Sequence, residues 1–374
     1  MAPHPLNILH VMRAPVGGLF RHVADLARGQ AARGHRVGIV ADAGTGGELA
    51  EAALAELSSV LALGITRVPM SRQIGPRDFS AIAHVSRRAA ADAVDVLHGH
   101  GAKGGAYARL ARCRRGIRVY TPHGGSLHYR WASPNGFLYL MLERLLIRRT
   151  HLFLFESAYG RDVFRRKVGD AGGTVRVVHN GVAPAEFAPV VADAQASDLL
   201  YIGELRALKG IAVLIEALAL LVREGREVSA TIVGEGSDRA AFEASVAARG
   251  LRDRVRFVGA RPTRAGFALG RLLVVPSLAE SLPYIVLEAA AAAMPFIATR
   301  VGGVPEILGP YSAELVAAGD PAALARAIDQ ALREPAAKRL AGARIQARVR
   351  ENFSIDAMTE AVLAAYADAR AGHG

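Results

Sequence analysis

The sequence predicts two α/β domains, each built on a doubly wound parallel sheet. Its 374 residues are too many for one ordinary core and fit two domains of the common size. Short apolar runs alternate with helical patterns in two separate series, which is typical of parallel sheets covered by helices. Between the two series, residues 184–197 are rich in Ala, Pro and Asp and have no clear period, so we expect a linker there.

The first series predicts an N-terminal domain over residues 1–183. Its expected strands are residues 6–12, 35–41, 65–68, 94–98, 117–121, 152–155 and 175–178. After the first strand, a helical pattern at 19–33 closes at Gly34. Because ligands bind at the carboxyl ends of parallel strands, residues directly after these runs are the first candidates for a site.

The second series predicts a C-terminal domain over residues 198–351. Its expected strands are residues 199–202, 228–233, 255–258, 272–275, 296–298 and 314–316. After the fourth of these strands, Glu280 lies in a polar loop and Pro283 is well placed to begin a helix over 284–293. Pro295 ends this helix before the chain returns to the sheet.

Composition bounds the class of protein. Hydrophobic residues make up 51% of the chain, so both domains can form large cores. The single cysteine, Cys113, excludes a disulfide framework and a cysteine-built zinc site, and it suits a reducing cytoplasm. Residues 1–5 lead directly into a strand, so no secretory signal is expected. No run of about 20 apolar residues occurs, and we expect a cytoplasmic protein that does not cross a bilayer.

The formal net charge of +12 implies attraction to an acidic partner. Nucleic acid is not expected, because no aromatic-interleaved basic stretch or known binding motif accompanies the charge. An anionic membrane surface is the better candidate, on which the protein would lie peripherally. A codon bias toward alanine and arginine is the alternative explanation.

Two carboxylates flank the start of the helix that begins near Pro283. With Glu288 two turns into that helix at ~1.5 Å per residue, the carboxylates of Glu280 and Glu288 should be roughly 10 Å apart. A retaining glycosidase needs ~5 Å between its carboxylates and an inverting one roughly 6.5–9.5 Å. The pair therefore suits the two ends of one long ligand better than attack on one bond.

The ligand between these carboxylates can be inferred from the helix start. The backbone N–H groups of Tyr284 and Ile285 are the expected donors there, and a helix N-terminus favours phosphate. A molecule that offers hydroxyls, then phosphates, then hydroxyls is a nucleotide sugar. We therefore expect a nucleotide-diphosphate sugar as the ligand.

The string ESLPYIVLEA, followed by a helix of small residues, by PFIAT and by VGGVPE, resembles the donor-site signature of glycosyltransferase family 4. Its members are retaining enzymes of the GT-B fold, in which two Rossmann-like domains face a cleft, and they need no metal or cofactor. The resemblance implies transfer of a hexose-like sugar from a UDP- or GDP-sugar to a saccharide or lipid-linked acceptor, in the assembly of a bacterial surface polysaccharide or glycolipid. It also implies that residues 352–374 form a helix that crosses back to the N-terminal domain.

The resemblance assigns catalytic roles to His123 and Glu280. His123 follows the strand at 117–121, where the family has a histidine that reaches the transferred sugar. Its side chain could bond a sugar hydroxyl, and its backbone carbonyl could face the anomeric carbon. Gly17 and Gly18 match a glycine pair beside the donor phosphate, although an ordinary tight turn is the alternative. The segment PVGGLFRH lacks the dinucleotide-binding pattern G-x-G-x-x-G.

The donor diphosphate is assigned to a basic clamp after the first strand of the second series. Lys209 matches the family's lysine, whereas the position of the family's arginine holds Glu204. Arg206, two residues further on and on the same side of an extended chain, is our substitute for that arginine. Glu288 is assigned to the nucleoside end of the donor and Glu280 to its sugar.

The acceptor side is expected in the N-terminal domain. Residues 126–137 interrupt the alternation and carry Tyr129, Arg130 and Trp131, which could stack on a sugar, enter lipid headgroups or form a local cap. Arg13 and Arg21, which flank the glycine pair, are also assigned to the acceptor side.

Three alternatives remain open. A GT-B sugar-nucleotide epimerase would convert the donor without an acceptor, and a non-catalytic sugar-nucleotide-binding protein would neither hydrolyse nor transfer. His98 and His100 follow a predicted strand, so a metal is conceivable there. Because no cysteine or ordered carboxylate accompanies them, we expect no metal.

Overall fold

The structure, a computed structural model, describes residues 4–373, with the side chain of Leu49 excepted. It contains two compact α/β units. Unit 1 comprises the described residues up to Asn180 together with those from Ile355 onward, and unit 2 comprises Gly181–Ser354. The C-terminal segment therefore belongs to unit 1, as the fold class requires.

Strands and helices alternate along both units. The strands are β1 Asn7–Met12, β2 Arg36–Asp42, β3 Gly64–Val68, β4 Val96–His100, β5 Ile117–Thr121, β6 Leu152–Phe155, β7 Thr174–Val177, β8 Ser197–Ile202, β9 Ala230–Val233, β10 Val255–Phe257, β11 Gly270–Val275 and β12 Phe296–Ala298. The α-helices are α1 Gly17–Ala32, α2 Gly47–Ser58, α3 Arg77–Ala91, α4 Gly101–Leu110, α5 Pro134–Leu146, α6 Ala158–Lys167, α7 Ile211–Arg223, α8 Arg239–Ala248, α9 Thr263–Phe267, α10 Tyr284–Ala291, α11 Val304–Leu308, α12 Pro321–Arg333, α13 Pro335–Asn352 and α14 Ile355–Ala371.

Unit 1 is built on a seven-stranded parallel sheet with the strand order β3-β2-β1-β4-β5-β6-β7. The order reverses between β1 and β4, which is where doubly wound sheets place their ligands. Helices cover both faces, so the central strands are buried on both sides. Helix α14 packs on α1 and adds Met358, Val362 and Tyr366 to the apolar core that contains Ile8.

Unit 2 is built on a five-stranded parallel sheet with the order β10-β9-β8-β11-β12. One apolar cluster contains Leu214 of α7 and Ile328 of α12, and a second contains Val286 of α10. The two parallel-sheet domains and the returning C-terminal helix are thus confirmed.

The strand expected at residues 314–316 is wrong. Gly309–Glu314 form a 3₁₀-helix, and Val316 makes only an isolated bridge to Thr299. A run of three residues has too few apolar positions to distinguish a strand from the end of such a turn.

A buried ion pair joins α4 and α5 in unit 1. Arg109 is 1% exposed and donates through Nη2 to Glu143 Oε2 at 2.7 Å. The other oxygen of Glu143 accepts hydrogen bonds from the hydroxyls of Tyr120 at 2.6 Å and Ser126 at 2.7 Å. The guanidinium of Arg109 also lies 3.8 Å from the ring centre of Tyr120. These contacts compensate two charges that are withdrawn from water.

Candidate functional site

His123 lies just beyond the carboxyl end of β5, where the sequence predicted a catalytic histidine. Its backbone has a φ of +51°, a strained conformation that non-glycine residues adopt mostly at functional sites. Its Nδ1 lies 2.7 Å from Glu156 Oε1, and its Nε2 lies 3.0 Å from His100 Nδ1. A side-chain bond from His123 to a sugar hydroxyl therefore requires one of these contacts to open, whereas a contact through its backbone carbonyl does not.

Five histidines of unit 1 form a buried histidine network around this position. They come from β1, α1, β4 and the loop after β5, and they are His10, His22, His98, His100 and His123. The expectation that His98 and His100 follow a strand is wrong, because β4 extends to His100 and contains both.

The histidine network is linked by hydrogen bonds to the rest of the unit. His100 Nε2 lies 2.9 Å from His10 Nδ1, and His10 Nε2 lies 2.8 Å from Gln30 Oε1. His98 is bonded on both ring nitrogens, to the hydroxyl of Tyr366 at 2.7 Å and to that of Thr121 at 2.8 Å.

His22 approaches the same place from α1. Its ring lies edge-on to that of His123 with the centres 4.9 Å apart, and its Nδ1 lies 2.9 Å from Asn180 Oδ1. The first helix and the ends of β4, β5, β6 and β7 therefore all contribute to one cluster. The cause is the strand order, which places these strand ends along one edge of the sheet.

Burial favours the neutral form of four of these rings, those of His10, His22, His98 and His100. Burial lowers the pKa of His10 and of His22 to about 4. Burial, with the charges of neighbouring rings, lowers the pKa of His98 and of His100 well below the ordinary value. A neutral imidazole offers one lone pair, which can accept a hydrogen bond or bind a metal ion.

Four residues of this cluster were not predicted as site residues: His10, His22, Glu156 and Asn180. Two of them carried a signal, since Glu156 directly follows a buried apolar run and Asn180 lies in a His-Asn-Gly-Val turn. His10 and His22 carried none, because one lies inside a buried strand and the other on a helix.

Gly17 and Gly18 are the first two residues of α1, so the helix begins two residues earlier than expected. Gly17 has a φ of +62°, which glycine adopts at little cost, and both residues are exposed. Arg13 follows β1, while Arg21 forms an ion pair with Asp25 one turn further along α1 at 3.3 Å. These residues lie between β1 and the first turns of α1, and their assignment to the donor and the acceptor stays a prediction.

The aromatic loop is partly structural. Trp131 donates its indole N–H to the carbonyl of Lys167 at 2.9 Å. Tyr129 stacks on Tyr139 of α5 with the ring centres 5.1 Å apart, and it remains 40% exposed. Arg130 is exposed. Of the three loop residues, Tyr129 and Arg130 are therefore better placed than Trp131 to meet a ligand.

Helix α5 and the turn after it present an apolar and basic surface. The exposed apolar side chains include Phe137, which is 54% exposed, and Leu145, which is 66% exposed. Arg144, Arg148 and Arg149 are exposed beside them. We call these five residues the α5 surface. Among residues 4–373, no helix combines the length and apolar character that crossing a membrane requires.

A cavity of about 190 Å³ lies behind the α5 surface in unit 1. Its apolar wall includes Phe79, Ile82 and Tyr139, and Lys103 lies on its polar wall. The ammonium of Lys103 is held by both carboxylate oxygens of Asp78 at 2.7 Å. The charge on the wall is thus already neutralised, so the cavity suits an apolar occupant better than an ionic one.

In unit 2 the structure brings together Lys209 and Glu280, two residues predicted to bind a donor. Lys209 Nζ donates to both carboxylate oxygens of Glu280, at 2.7 and 2.9 Å. Ser277 also donates its hydroxyl to Glu280 Oε1 at 2.7 Å. Glu280 is 8% exposed, so its charge depends on these partners.

Two glycines allow close backbone contacts next to the ion pair of Lys209 and Glu280. Gly210, which follows Lys209, has a φ of +71°, and a Cβ there would collide with the carbonyl oxygen of Pro276. Gly302 has a φ of +56°, and a Cβ there would collide with the carbonyl oxygen of Glu280. The backbone thus approaches closely on both sides of the ion pair, and only glycine allows this.

The remaining predicted donor residues lie beside this pair in sequence. Arg206 is exposed, with its guanidinium 3.5 Å from Glu204. Tyr284 and Ile285 are the first residues of α10, with Pro283 as the N-cap residue instead of the first helical residue. Glu288 lies on the same helix and is half-buried.

Comparison with protein families gives two matches along the chain. A family described as glycosyltransferase family 4 matches residues 16–186, and one described as glycosyl transferases group 1 matches residues 196–334. The matches cover most of unit 1 and unit 2, respectively.

Curated relatives carry sugar-transferring names. The chain is 30% identical to an α-D-kanosaminyltransferase of Streptomyces kanamyceticus over 207 residues. This alignment covers 51% of this chain and 52% of that protein. It is 31% identical to EpsD of Bacillus subtilis, which is named as a putative glycosyltransferase, over 263 residues. This alignment covers 64% of this chain and 68% of EpsD. The chain thus spans about half the length of the first of these relatives and about two thirds of the second.

Solved structures share the fold over nearly the whole chain. Sucrose-phosphate synthase from Thermosynechococcus elongatus superimposes with a TM-score of 0.82 at 22% identity, over 98% of this chain and 100% of that one. Anabaena HepE in complex with UDP-glucose superimposes with a TM-score of 0.79 at 19% identity, over 97% of this chain and 100% of that one. At these identities the likeness shows the fold alone.

Proposed function

This chain belongs to glycosyltransferase family 4 and has the GT-B fold, and from that premise we propose that it transfers a sugar from a nucleotide-diphosphate donor to a saccharide or lipid-linked acceptor. The transfer retains the configuration at the anomeric carbon. We assign the donor to unit 2 and the acceptor to unit 1. HepE is described with UDP-glucose, so a UDP-sugar is the first donor to test, with a GDP-sugar beside it.

The observation that carries the proposal is the pairing of Lys209 with Glu280 ahead of α10. An ammonium has three N–H donors, and Glu280 takes two of them, so the third can bond a phosphate oxygen. The N-terminus of α10 adds the positive ends of its backbone dipoles to the positive charge of the ammonium. These groups can stabilise a leaving diphosphate, and we propose that transfer needs no metal or other cofactor.

The proposed reaction is a front-face displacement. The bond between the anomeric carbon and the diphosphate oxygen breaks, the acceptor oxygen bonds to the same face, and its proton passes to the leaving phosphate. Lys209 and Arg206 stabilise the charge that develops on the diphosphate, while Glu280 bonds the sugar. We assign the backbone carbonyl of His123 to the transferred sugar, as the resemblance implies. Glu288 binds the nucleoside.

We propose an acceptor presented at an anionic membrane surface, at the inner face of the cytoplasmic membrane. The support is the α5 surface, where exposed apolar side chains alternate with exposed arginines. The apolar cavity behind it can hold part of a lipid carrier. Such an acceptor is consistent with assembly of a bacterial surface polysaccharide or glycolipid.

Donor binding is the first test of the function. We expect the nucleotide of the correct donor, added at about 100 times its Kd, to stabilise the protein by about 2.7 kcal/mol and to raise its Tm by several degrees. UDP, GDP and ADP are compared by thermal shift, and the best donor is then incubated with candidate acceptors and followed by mass spectrometry. Nuclear magnetic resonance of the product gives the anomeric configuration.

Other outcomes of that experiment separate the alternatives. Conversion of the donor without an acceptor would indicate an epimerase, and binding without any conversion would indicate a sugar-nucleotide-binding protein. The absence of a shift with all three nucleotides would contradict the proposed donor site.

Membrane binding is the second prediction. Each arginine near an anionic surface contributes ~1 kcal/mol, so we expect co-sedimentation with anionic liposomes at low salt and its loss as salt rises. Changing Arg148 and Arg149 to Glu should weaken binding at least tenfold. The matched control changes Arg339 and Arg344 to Glu, since both are exposed arginines of unit 2 and the change in net charge is the same. Equal effects of the two double variants would show that binding depends on net charge and not on the α5 surface.

A further inference from the structure

Three rings of the histidine network surround one point. The ring centres of His22 and His123 are 4.9 Å apart, those of His100 and His123 5.3 Å, and those of His22 and His100 5.7 Å. One nitrogen from each ring can be chosen so that all three lie within 4.8 Å of one another. Imidazoles bound to a tetrahedral ion at Zn–N distances of ~2.0–2.1 Å have ring centres roughly 5 Å apart. The rings therefore already have nearly the spacing that a metal ion would impose.

The other nitrogen of each of these rings is anchored. His123 Nδ1 lies 2.7 Å from the carboxylate of Glu156, and His22 Nδ1 lies 2.9 Å from the amide oxygen of Asn180. The Nε2 of His100 lies 2.9 Å from His10 Nδ1. Metal-binding histidines almost always donate their second N–H in this way, which sets the tautomer and the direction of the free lone pair.

The hydrogen-bond donors along this chain show where the lone pairs point. Gln30 Oε1 can only accept, so His10 donates from Nε2, and its Nδ1 must accept the Nε2 proton of His100. Glu156 as a carboxylate likewise takes the Nδ1 proton of His123. His100 Nδ1 and His123 Nε2 then face each other across 3.0 Å, and each is a ring nitrogen that can bind a metal ion. Either a shared proton or a metal ion can occupy the space between these two nitrogens.

We propose that His22, His100 and His123 form a binding site for a divalent transition metal, with Zn²⁺ the best fit. Imidazole nitrogen suits Zn²⁺, Cu²⁺ and Ni²⁺ and not Mg²⁺ or Ca²⁺. A metal uses the lone pairs of all three rings, whereas a single proton joins only His100 to His123. Three histidines leave the fourth position of a tetrahedral ion for water or another ligand.

The site shares His123 with the residues assigned to the transferred sugar, but it is tested by metal binding alone. Its ligands all belong to unit 1, whereas the donor diphosphate is assigned to unit 2, so the ion is not offered as a Lewis acid for the donor.

A second group, His10, His98 and His100, also has nitrogens within 4.8 Å of one another, but it fits less well. Both nitrogens of His98 are already bonded, to the hydroxyls of Tyr366 and Thr121. Binding a metal there would break one of these buried hydrogen bonds. The two groups share His100, so a substitution at His98 distinguishes them.

The test uses the untagged full chain, stripped with a chelator and titrated with Co²⁺ and Zn²⁺. We expect one Co²⁺ per chain, with the visible absorbance of a four-coordinate cobalt site, and its displacement by one Zn²⁺ but not by Mg²⁺. Mass-spectrometric metal analysis after dialysis against Zn²⁺ gives the stoichiometry. A chain that binds no Co²⁺ at micromolar concentration would overturn the proposal.

Variants assign the ligands. We expect His22→Ala to reduce the affinity at least 100-fold, and Asn180→Ala, which removes the acceptor of His22 and leaves the three rings in place, to reduce it about 10- to 100-fold. The matched control is His98→Gln, a buried histidine of the same network, which should bind as tightly as the wild type. Loss of binding in His98→Gln with retention in His22→Ala would place any metal in the other group and refute this site. Circular dichroism verifies that each variant is folded, and Asn180→Ala decides the question if His22→Ala does not fold.

Discussion

Replacing Glu143 with alanine is expected to lower the free energy of unfolding of unit 1 by about 3–5 kcal/mol, because it leaves the buried guanidinium of Arg109 without its counter-ion. The same change removes the acceptor of the hydroxyls of Tyr120 and Ser126. The chain has a single tryptophan, Trp131, and it lies in unit 1. Its fluorescence during urea unfolding therefore reports the unit that contains the substitution.

Two further variants make the result specific. Glu56→Ala removes an exposed partner of Arg28 in the same unit, 3.1 Å away, and should leave the unfolding midpoint nearly unchanged. Replacing Arg109 with Met together with Glu143 with Leu removes both charges, and this double variant should recover the part of the lost stability that is due to the unpaired guanidinium. If Glu143→Ala unfolded at the same urea concentration as Glu56→Ala, the ion pair would not stabilise the unit.

The sheets could be predicted because parallel strands are buried on both faces and so form continuous apolar runs. Strands β5, β6 and β12 were predicted with the observed bounds. Strand β4 was not, because its sequence Val-Leu-His-Gly-His ends in two histidines that resemble the start of a loop. They lie within the strand because their polar nitrogens are bonded to other side chains of the core, and a local pattern does not contain that information.

The candidate site was predictable one segment at a time. Lys209 and Glu280 were each predicted to bind a different part of the donor, but their direct ion pair joins residues 71 positions apart. It forms because β8 and β11 are neighbours in the sheet of unit 2, although β9 and β10 lie between them in the chain. Strand order is set by the packing of the whole unit, so the pairing could not be predicted from either segment.

The same reason explains the histidine network. Its members lie on β1, α1, β4 and the loop after β5, and β1, β4 and β5 are adjacent in the sheet although not all consecutive in the chain. A histidine inside a buried strand, such as His10, gives no sign of its partners. Glu156, directly after a strand, and Asn180, two residues after the strand expected at 175–178, could have been added to the site by the strand-end rule.

The ion pair of unit 2 is expected to determine the affinity for the donor diphosphate. Changing Lys209 to methionine should raise the Kd for the nucleotide diphosphate about 10- to 150-fold, since a hydrogen bond to a charged group is worth ~1.5–3 kcal/mol. It also leaves the carboxylate of Glu280 uncompensated near the phosphates, which adds repulsion. The control is Lys338→Met, in which a lysine of the same unit, 3.2 Å from Glu314, is changed in the same way and should bind as the wild type does.

Substitutions of Glu280 and of Glu288 should change different kinetic parameters. Glu280→Gln keeps an acceptor for Ser277 but frees Lys209, so the diphosphate should still bind while kcat for transfer falls by at least tenfold, because the contact to the sugar is lost. Glu288→Gln should raise KM for the donor and leave kcat nearly unchanged. Calorimetry with the nucleotide diphosphate and steady-state kinetics with the full donor separate the two effects. If the Kd of Lys209→Met for the nucleotide diphosphate were within twofold of the wild-type value, the assignment of Lys209 to the diphosphate would be wrong. If the two glutamine variants had the same kcat and KM, the assignment of the two glutamates to opposite ends of the donor would be wrong.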